Sequence, residues 1–258
     1  MNIVVCIKQV PDTAAERKLN AELRLDRANV ENIINPFDEY AIEEALKTKE
    51  QKGGTVTVLC VGPESAKEQV RKAVAMGVEK AVLVSDPALA GSDSLGTAYA
   101  ISQALKKIPH DVVFFGMAST DAATAQVPAK VAALLNAPLH SYCNKVEIGD
   151  GSVKSQRATD KGYDVVTSGT PAVISVLKGI NEPRYPSLKG IMLAKRTEIA
   201  VWSLGDIEAD ASRVGKEGAR EKVLGFTPTR GRQKGQVVQD DGTAATLIAN
   251  FLVSSKCL

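Results

Sequence analysis

The alternation of apolar runs with helical periodicities over the first 135 or so residues narrows the fold of this chain more than any other feature. Ile3 to Ile7 is a continuous apolar run, the pattern of a strand buried on both faces. From Asp38 to Lys52, Tyr40, Ala41, Ala45 and Leu46 recur at helical spacing. Asn35-Pro36 supplies a start signal for this helix and Gly53-Gly54 a stop. The unit then repeats. Strand Thr55 to Val61 is followed by helix Glu64 to Met76, which ends at Gly77. Strand Lys80 to Val84 precedes helix Ser92 to Ile108, and strand Asp111 to Phe115 precedes helix Ala123 to Leu135. Four such repeats predict an α/β fold, a doubly wound and mostly parallel sheet covered on both faces.

Past Asn144 the pattern changes. Lys145 to Glu147, Ser152 to Thr159, Tyr163 to Thr167 and Ala172 to Val176 read as short strands, with tight turns at Gly149-Asp150-Gly151 and Asp160-Lys161-Gly162. They are expected as antiparallel additions to the sheet. From about Ser203 the alternation is lost. Val214 to Gly235 is rich in Lys, Arg, Gly, Thr and Pro and reads as an extended arm. A last amphipathic helix, Gly242 to Ser254, carries Ala244, Leu247, Ile248, Phe251 and Leu252 on one face. The expected division is an α/β domain over 1–202 and an arm with its helix over 203–258.

Several function classes are disfavoured. The net charge is +2 and aromatics are 4% of the chain, a poor basis for nucleic-acid binding. Cys6, Cys60, Cys143 and Cys257 form no CxxC pair, so free thiols in a reducing compartment are expected rather than a zinc site or redox dithiol. No run of about 18 apolar residues occurs, and no signal peptide is read before the first strand. His110 and His140 have no recognisable nucleophile or metal partner in sequence, and no GxSxG or HExxH pattern is present.

Ligands of doubly wound sheets bind beyond the carboxyl ends of the strands. Three segments end strands in this way: Lys8 to Thr13, Val61-Gly62-Pro63, and Gly116-Met117-Ala118-Ser119-Thr120-Asp121. Gly116 permits close backbone approach, and Ser119, Thr120 and Asp121 bring hydrogen-bonding groups. Thr124, Ala125, Gln126 and Val127 open a helix whose free N–H groups favour a phosphate. Ser, Thr and Asp are also ordinary helix caps, so nucleotide binding and a simple capped start both stay open. Asn35-Pro36-Phe37-Asp38 is a second candidate, although the residues alone favour a turn at Asn-Pro and a helix cap at Asp38. Lys8 reads as a solvated surface charge.

The segment Gly179 to Lys195 stands apart. Pro183 and Pro186 hold Glu182 to Pro186 out of helix and central strand. A stiff loop carrying Leu188 and Met192 outward would be a docking surface. The segment closely resembles a marker of the electron transfer flavoprotein β-subunit (FixA) family. Val4 to Asp12 resembles that family's opening strand and loop, and Asn35 to Ala45 its second marker. Gly62-Pro63 and Ala73-Val74-Ala75-Met76-Gly77 also match, so the resemblance runs over nearly the whole chain in order.

The resemblance implies a sheet of the adenine-nucleotide α-hydrolase-like kind. It also implies a heterodimer with an α subunit that holds most of one FAD, and a structural AMP in this chain. AMP contacts carried over by position are Cys6, Asn35, Pro36, Phe37, Asp38, Val61 and Gly116 through Asp121, with Thr124, Ala125, Gln126 and Val127. Tyr185, Leu188, Ile191 and Met192 would meet acyl-CoA and other flavin dehydrogenases, with Leu188 as anchor. A quinone oxidoreductase would be the downstream acceptor. The chain would be an electron carrier subunit without catalysis of its own, in the cytoplasm or, in a eukaryote, the mitochondrial matrix. The alternative within the family is the β subunit of a bifurcating electron transfer flavoprotein, a related subgroup with a second FAD in place of AMP, and the Gly116 to Asp121 segment resembles the AMP-binding branch more closely. Where several relatives place acidic residues after Asp121, this chain has Ala122-Ala123. Where they place a hinge glutamate after the position of Arg157, it has Ala158. A free-standing adenine-nucleotide-binding regulatory module is the alternative from another class, but it leaves the Leu188 segment unexplained.

Overall fold

Strand β1 (Asn2–Ile7) divides its side chains between two cores, and this parity organises the whole molecule. Ile3, Val5 and Ile7 point into one apolar layer, Val4 and Cys6 into the other. The computed structural model describes residues 1–27, 30–227, 231, 235 and 237–257. After β1 come β2 (Gln9–Pro11), β3 (Asn32–Ile34), α1 (Pro36–Lys52), β4 (Thr55–Val61), α2 (Lys67–Met76), β5 (Lys80–Val84), α3 (Ser94–Lys107), β6 (Val112–Gly116) and α4 (Val127–Leu135). They are followed by β7 (Leu139–Ile148), β8 (Ser152–Thr159), β9 (Gly162–Gly169), β10 (Ala172–Val176), α5 (Leu188–Arg196), β11 (Ala200–Trp202), α6 (Gly215–Gly218) and α7 (Ala244–Ser254).

Nine strands form one sheet in the order β11-β5-β4-β1-β6-β10-β7-β8-β9, and β2 pairs with β3 in a separate small antiparallel sheet. All pairs from β11 to β7 are parallel, and only β8 and β9 are joined antiparallel. Helices α1 and α2 cover one face and α3 and α4 the other. The chain leaves β1 toward β4 and leaves β6 toward β7, so the winding reverses between β1 and β6. A crevice at the carboxyl ends of these two strands follows from that reversal.

Two strands expected as antiparallel additions lie within the parallel part. β10 inserts between β6 and β7 and runs parallel to both. All five of its residues are buried, as a central strand covered on two faces requires. β7 begins six residues earlier than expected, at Leu139 rather than Lys145. Its first half pairs with β10 and its second half with β8. Tyr142, at φ 53°, marks the irregularity between the two pairings.

The chain divides into Met1–Val223 and Leu224–Leu258. The first unit runs past the boundary expected after residue 202, because Leu204, Ile207 and Val214 are buried in the α3 layer. Asp93 secures the end of this stretch: it caps α3 through the Gly96 amide (2.8 Å) and accepts from the amides of Arg220 (2.7 Å) and Glu221 (3.2 Å). Part of the expected arm, residues 228–230 and 232–234, lies outside the described residues. In the second unit α7 leaves Leu247, Ile248, Phe251 and Val253 exposed.

Candidate functional site

At the crevice between β1 and β6, α1 is drawn down onto the sheet by a buried polar knot. Asp38, in the first turn of α1, accepts from the Lys8 amide (2.8 Å), the Asn35 side chain (2.9 Å) and the Gly116 amide. Asn35 uses its whole amide. Its Nδ2 also donates to Ala118 O (2.8 Å), and its Oδ1 accepts from the Thr120 amide (3.1 Å). One side chain thereby ties the start of α1 to the loop after β6. Burial pushes the Asp38 carboxyl up to about 7, although three donors favour its charged form.

Gly116 is required here. A Cβ at this position would lie 2.5 Å from Asp38 Oδ1 and 2.7 Å from the Phe37 carbonyl. The backbone that approaches Gly116 closely is the protein's own α1. Cys6, Asn35 and Asp38 are thus walls of the site: all three are buried, and the polar atoms of Asn35 and Asp38 are committed to protein partners. Burial holds the Cys6 thiol well above its ordinary value, which keeps it protonated. Pro36 and Phe37 are half-buried, as is Val61 at the end of β4.

The open part of the site is the loop after β6. Met117, Ala118, Ser119 and Thr120 are half-buried, and Thr124 and Gln126 are exposed. The helix expected from Ala123 begins only at Val127, because Ala123 (φ 51°) and Ala125 (φ 54°) take left-handed backbone that no α-helix continues. Among the described residues no side chain caps α4, and its first turn brings the N–H groups of Val127 and Ala129, Pro128 having none. This donor set suits an anion, and the adjoining strand ends offer an apolar wall at Val61. The residues present therefore fit the mononucleotide that the resemblance implies.

Beside this loop stands a cluster that sequence reading missed. Asp121 carries a side chain only 2% exposed, and its carboxylate meets Lys8 Nζ (2.9 Å) and the guanidinium of Arg27. The two cations hold the carboxyl well below the usual range against the cost of burial. Lys8 pairs with Asp121 while its side chain stays 41% exposed. Nothing in the local sequence announced Arg27, which arrives from the excursion between β2 and β3.

The second region lies on the α1–α2 face. Arg184 donates from Nε and Nη2 to both carboxylate oxygens of Glu43 (2.8 and 2.9 Å) and from Nη1 to Glu50 (2.6 Å). Asn181 donates to Tyr40 O (3.0 Å) and Glu44 (2.9 Å). The loop is therefore fixed to α1. Its continuation is a helix rather than a loop: Ser187 caps α5 by accepting from the Gly190 amide (3.0 Å). The outward set predicted from sequence rides on this helix and the turn before it. Tyr185 is 94% exposed and Leu188 80%, with Ile191 and Met192 also exposed. Gly190 and Ala194 face inward; a Cβ on Gly190 would lie 2.2 Å from Ala75 O.

Among the described residues no group of His, Cys, Asp or Glu gathers as metal ligands, and no helix is long and apolar enough to cross a membrane. His140 is buried between Ser155 (2.7 Å) and Ser168 (2.8 Å).

Residues 22–207 match the family model described as electron transfer flavoprotein domain. A Mycobacterium bovis protein named electron transfer flavoprotein subunit beta is 41% identical across 100% of this chain and 99% of its own length. The protein of that name from Megasphaera elsdenii is 38% identical over 100% of both chains. Protein FixA of Sinorhizobium fredii is 38% identical over 99% of this chain and 93% of its own.

Proposed function

This chain belongs to the electron transfer flavoprotein family, among its β-subunit and FixA members, and on that premise we propose that it is one half of a heterodimeric electron carrier. In this reading it pairs with an α subunit, helps to form the FAD site there, and holds a structural AMP at the crevice between β1 and β6. The flavin, when bound, supplies the chemistry by accepting electrons and passing them on. The residues of this chain bind, shape and dock.

The AMP would rest on the loop from Gly116 to Val127, against Val61, with Cys6 and Asn35 to Asp38 forming the wall beneath. Acyl-CoA and other flavin dehydrogenases would dock on α5, with a quinone oxidoreductase as downstream acceptor. The unit Leu224–Leu258 would pack on the α subunit and cover the apolar face of α7. The setting would be the cytoplasm, or the mitochondrial matrix in a eukaryote.

The observation that carries this reading is α5: an apolar helix face presented outward from a base fixed by Arg184 and Asn181. Fully burying one such side chain on docking is worth about 1.5–3 kcal/mol, suited to a partner that must also leave quickly. A free-standing regulatory nucleotide module has no use for it. The test is to purify the native complex under mild conditions, denature it, and quantify FAD and AMP per chain. About one of each, with a copurifying α chain, is the expected result. Two FAD and no AMP would replace the AMP assignment with a second flavin, and adenine nucleotide without flavin or partner would overturn the carrier reading.

A further inference from the structure

We propose that the cavity at the amino ends of β4 and β5, beside β11, is a second binding site, and that it takes a small zwitterion with an apolar tail, the chemistry of an aromatic α-amino acid. The cavity lies at the end of the sheet opposite the crevice between β1 and β6, and the proposal does not depend on the nucleotide reading.

The cavity measures about 390 Å³, within the roughly 300–1,000 Å³ usual for small-molecule sites. Strand parity decides what lines it. Val56, Val58 and Ala81 point into the α1–α2 layer, so Thr57 of β4 and Lys80 and Val82 of β5 fall on the α3 side, where Ala200 and Trp202 of β11 also pack. Register sets Thr57 beside Lys80 and Val82 beside Ala200. Glu198 stands two residues before Ala200, as Lys80 stands two before Val82. A hydroxyl, an ammonium and a carboxylate are thus gathered at one end of the cavity, with Val82, Ala200 and Trp202 as its apolar wall.

Thr57 carries the argument. It is 8% exposed and lines the cavity, yet among the described residues its hydroxyl has no hydrogen-bond partner. A polar group so placed is usually hydrogen-bonded, and valine would pack there equally well. Lys80 and Glu198 make no hydrogen bond or ion pair among the described residues either. The other charges at the rim are committed: Glu79 accepts from Lys49 (2.6 Å) and the Val56 amide (2.9 Å), and Lys107 pairs with Glu208. A ligand carboxylate on Lys80 and a ligand ammonium on Glu198 are charge-assisted contacts, and an aromatic side chain finds a partner in Trp202. Two solvated surface charges are the competing explanation. They account for Lys80 and Glu198 but not for the unpartnered Thr57 or for the half-buried Trp202, the one tryptophan of the chain.

Calorimetric titration of the full chain in its native complex separates the two. The titrants are L-phenylalanine, 3-phenylpropionate, which lacks the ammonium, and 2-phenylethylamine, which lacks the carboxylate. Wild type is expected to bind phenylalanine with a Kd of about 1 mM or tighter, and both analogues about 10-fold more weakly. Lys80→Gln should weaken phenylalanine about 10-fold and leave 2-phenylethylamine unchanged; Glu198→Gln should weaken it about 10-fold and leave 3-phenylpropionate unchanged. Thr57→Val should weaken phenylalanine by about 5-fold. Urea unfolding of each variant shows that the fold is intact. If either analogue binds as tightly as phenylalanine, the zwitterion assignment falls. If the three variants bind phenylalanine as wild type does, binding lies elsewhere and the site falls. If wild type binds none of the three titrants, Lys80 and Glu198 are surface charges and the proposal is overturned.

Discussion

Asn35 and Leu188 both stand at the start of a helix, one 1% exposed and the other 80%. Around Asn35 every polar side-chain atom has a partner inside the protein, and its partners come from α1, the loop after β6 and the Lys8 carbonyl just past β1. Around Leu188 the polar contacts lie beneath the helix, at Arg184 and Ser187, and the side chain itself meets solvent. The crevice is a place where geometry is fixed by burial, so that a change of one atom propagates through three elements. The α5 face is fixed at its base and left open at its tip, so that a change at the tip alters what it can touch and little else. A site that retains a ligand needs the first arrangement, and a surface that meets successive partners needs the second.

The largest effect that would break this contrast is expected from Gly116→Ala. Its Cβ meets the Asp38 carboxylate and the Phe37 backbone, neither of which is the far end of a flexible chain. A loss of about 3 kcal/mol or more in urea unfolding is expected, together with loss of bound nucleotide. A stability within about 0.5 kcal/mol of wild type would show that α1 can lift off β6 freely, and the crevice would then be no more rigid than α5.

Asp38 sharpens the same point through pH. With its native carboxyl raised from 3.8 to about 7, the folded protein binds more protons than the unfolded chain between those values. The associated stabilisation is full below pH 3.8 and is lost as the pH rises through 7, at up to about 1.4 kcal/mol per pH unit. Asp38→Asn, which resembles the protonated acid in shape and polarity, should remove that slope. Parallel pH profiles for wild type and variant would assign the decline to other groups.

Leu188→Ala should give the smallest change in folding. An 80% exposed side chain loses little when truncated, so the stability is expected to stay within about 0.5 kcal/mol. Docking should weaken by about 1.5–3 kcal/mol, read as a fall of about 10- to 150-fold in the efficiency of reduction by a partner dehydrogenase with FAD content unchanged. Dissociation of the complex in this variant would mean that α5 belongs to the subunit interface.

Much of this was legible in the chain itself. Strands Thr55–Val61, Lys80–Val84 and Ala172–Val176 match their sequence ranges because continuous apolar runs leave few alternatives, and Ser152–Thr159 matches because the turns Gly149-Asp150-Gly151 and Asp160-Lys161-Gly162 bound it. The three strand-end segments followed from fold class. Leu188 and Met192 are exposed as the two prolines and flanking polar residues suggest, and Tyr185 and Ile191, which only the family resemblance added, are exposed with them. Its helical form was missed because the prolines masked the Ser187 cap. The start of α4 was placed four residues early, since alanines at 123 and 125 speak for helix while their backbone is left-handed.

The sequence by itself determined the alternating architecture, the ends of the strands and the segment that faces outward, all properties of local pattern and composition. Tertiary structure alone decided that β10 lies in the middle of the sheet, that Asn35 and Asp38 are walls, and that Lys8 and Arg27 share Asp121. Lys8 and Asp121 are 113 residues apart and Arg184 and Glu43 are 141 apart. No local signal specifies such pairs; they form because the winding reverses between β1 and β6 and because α1 packs across that reversal.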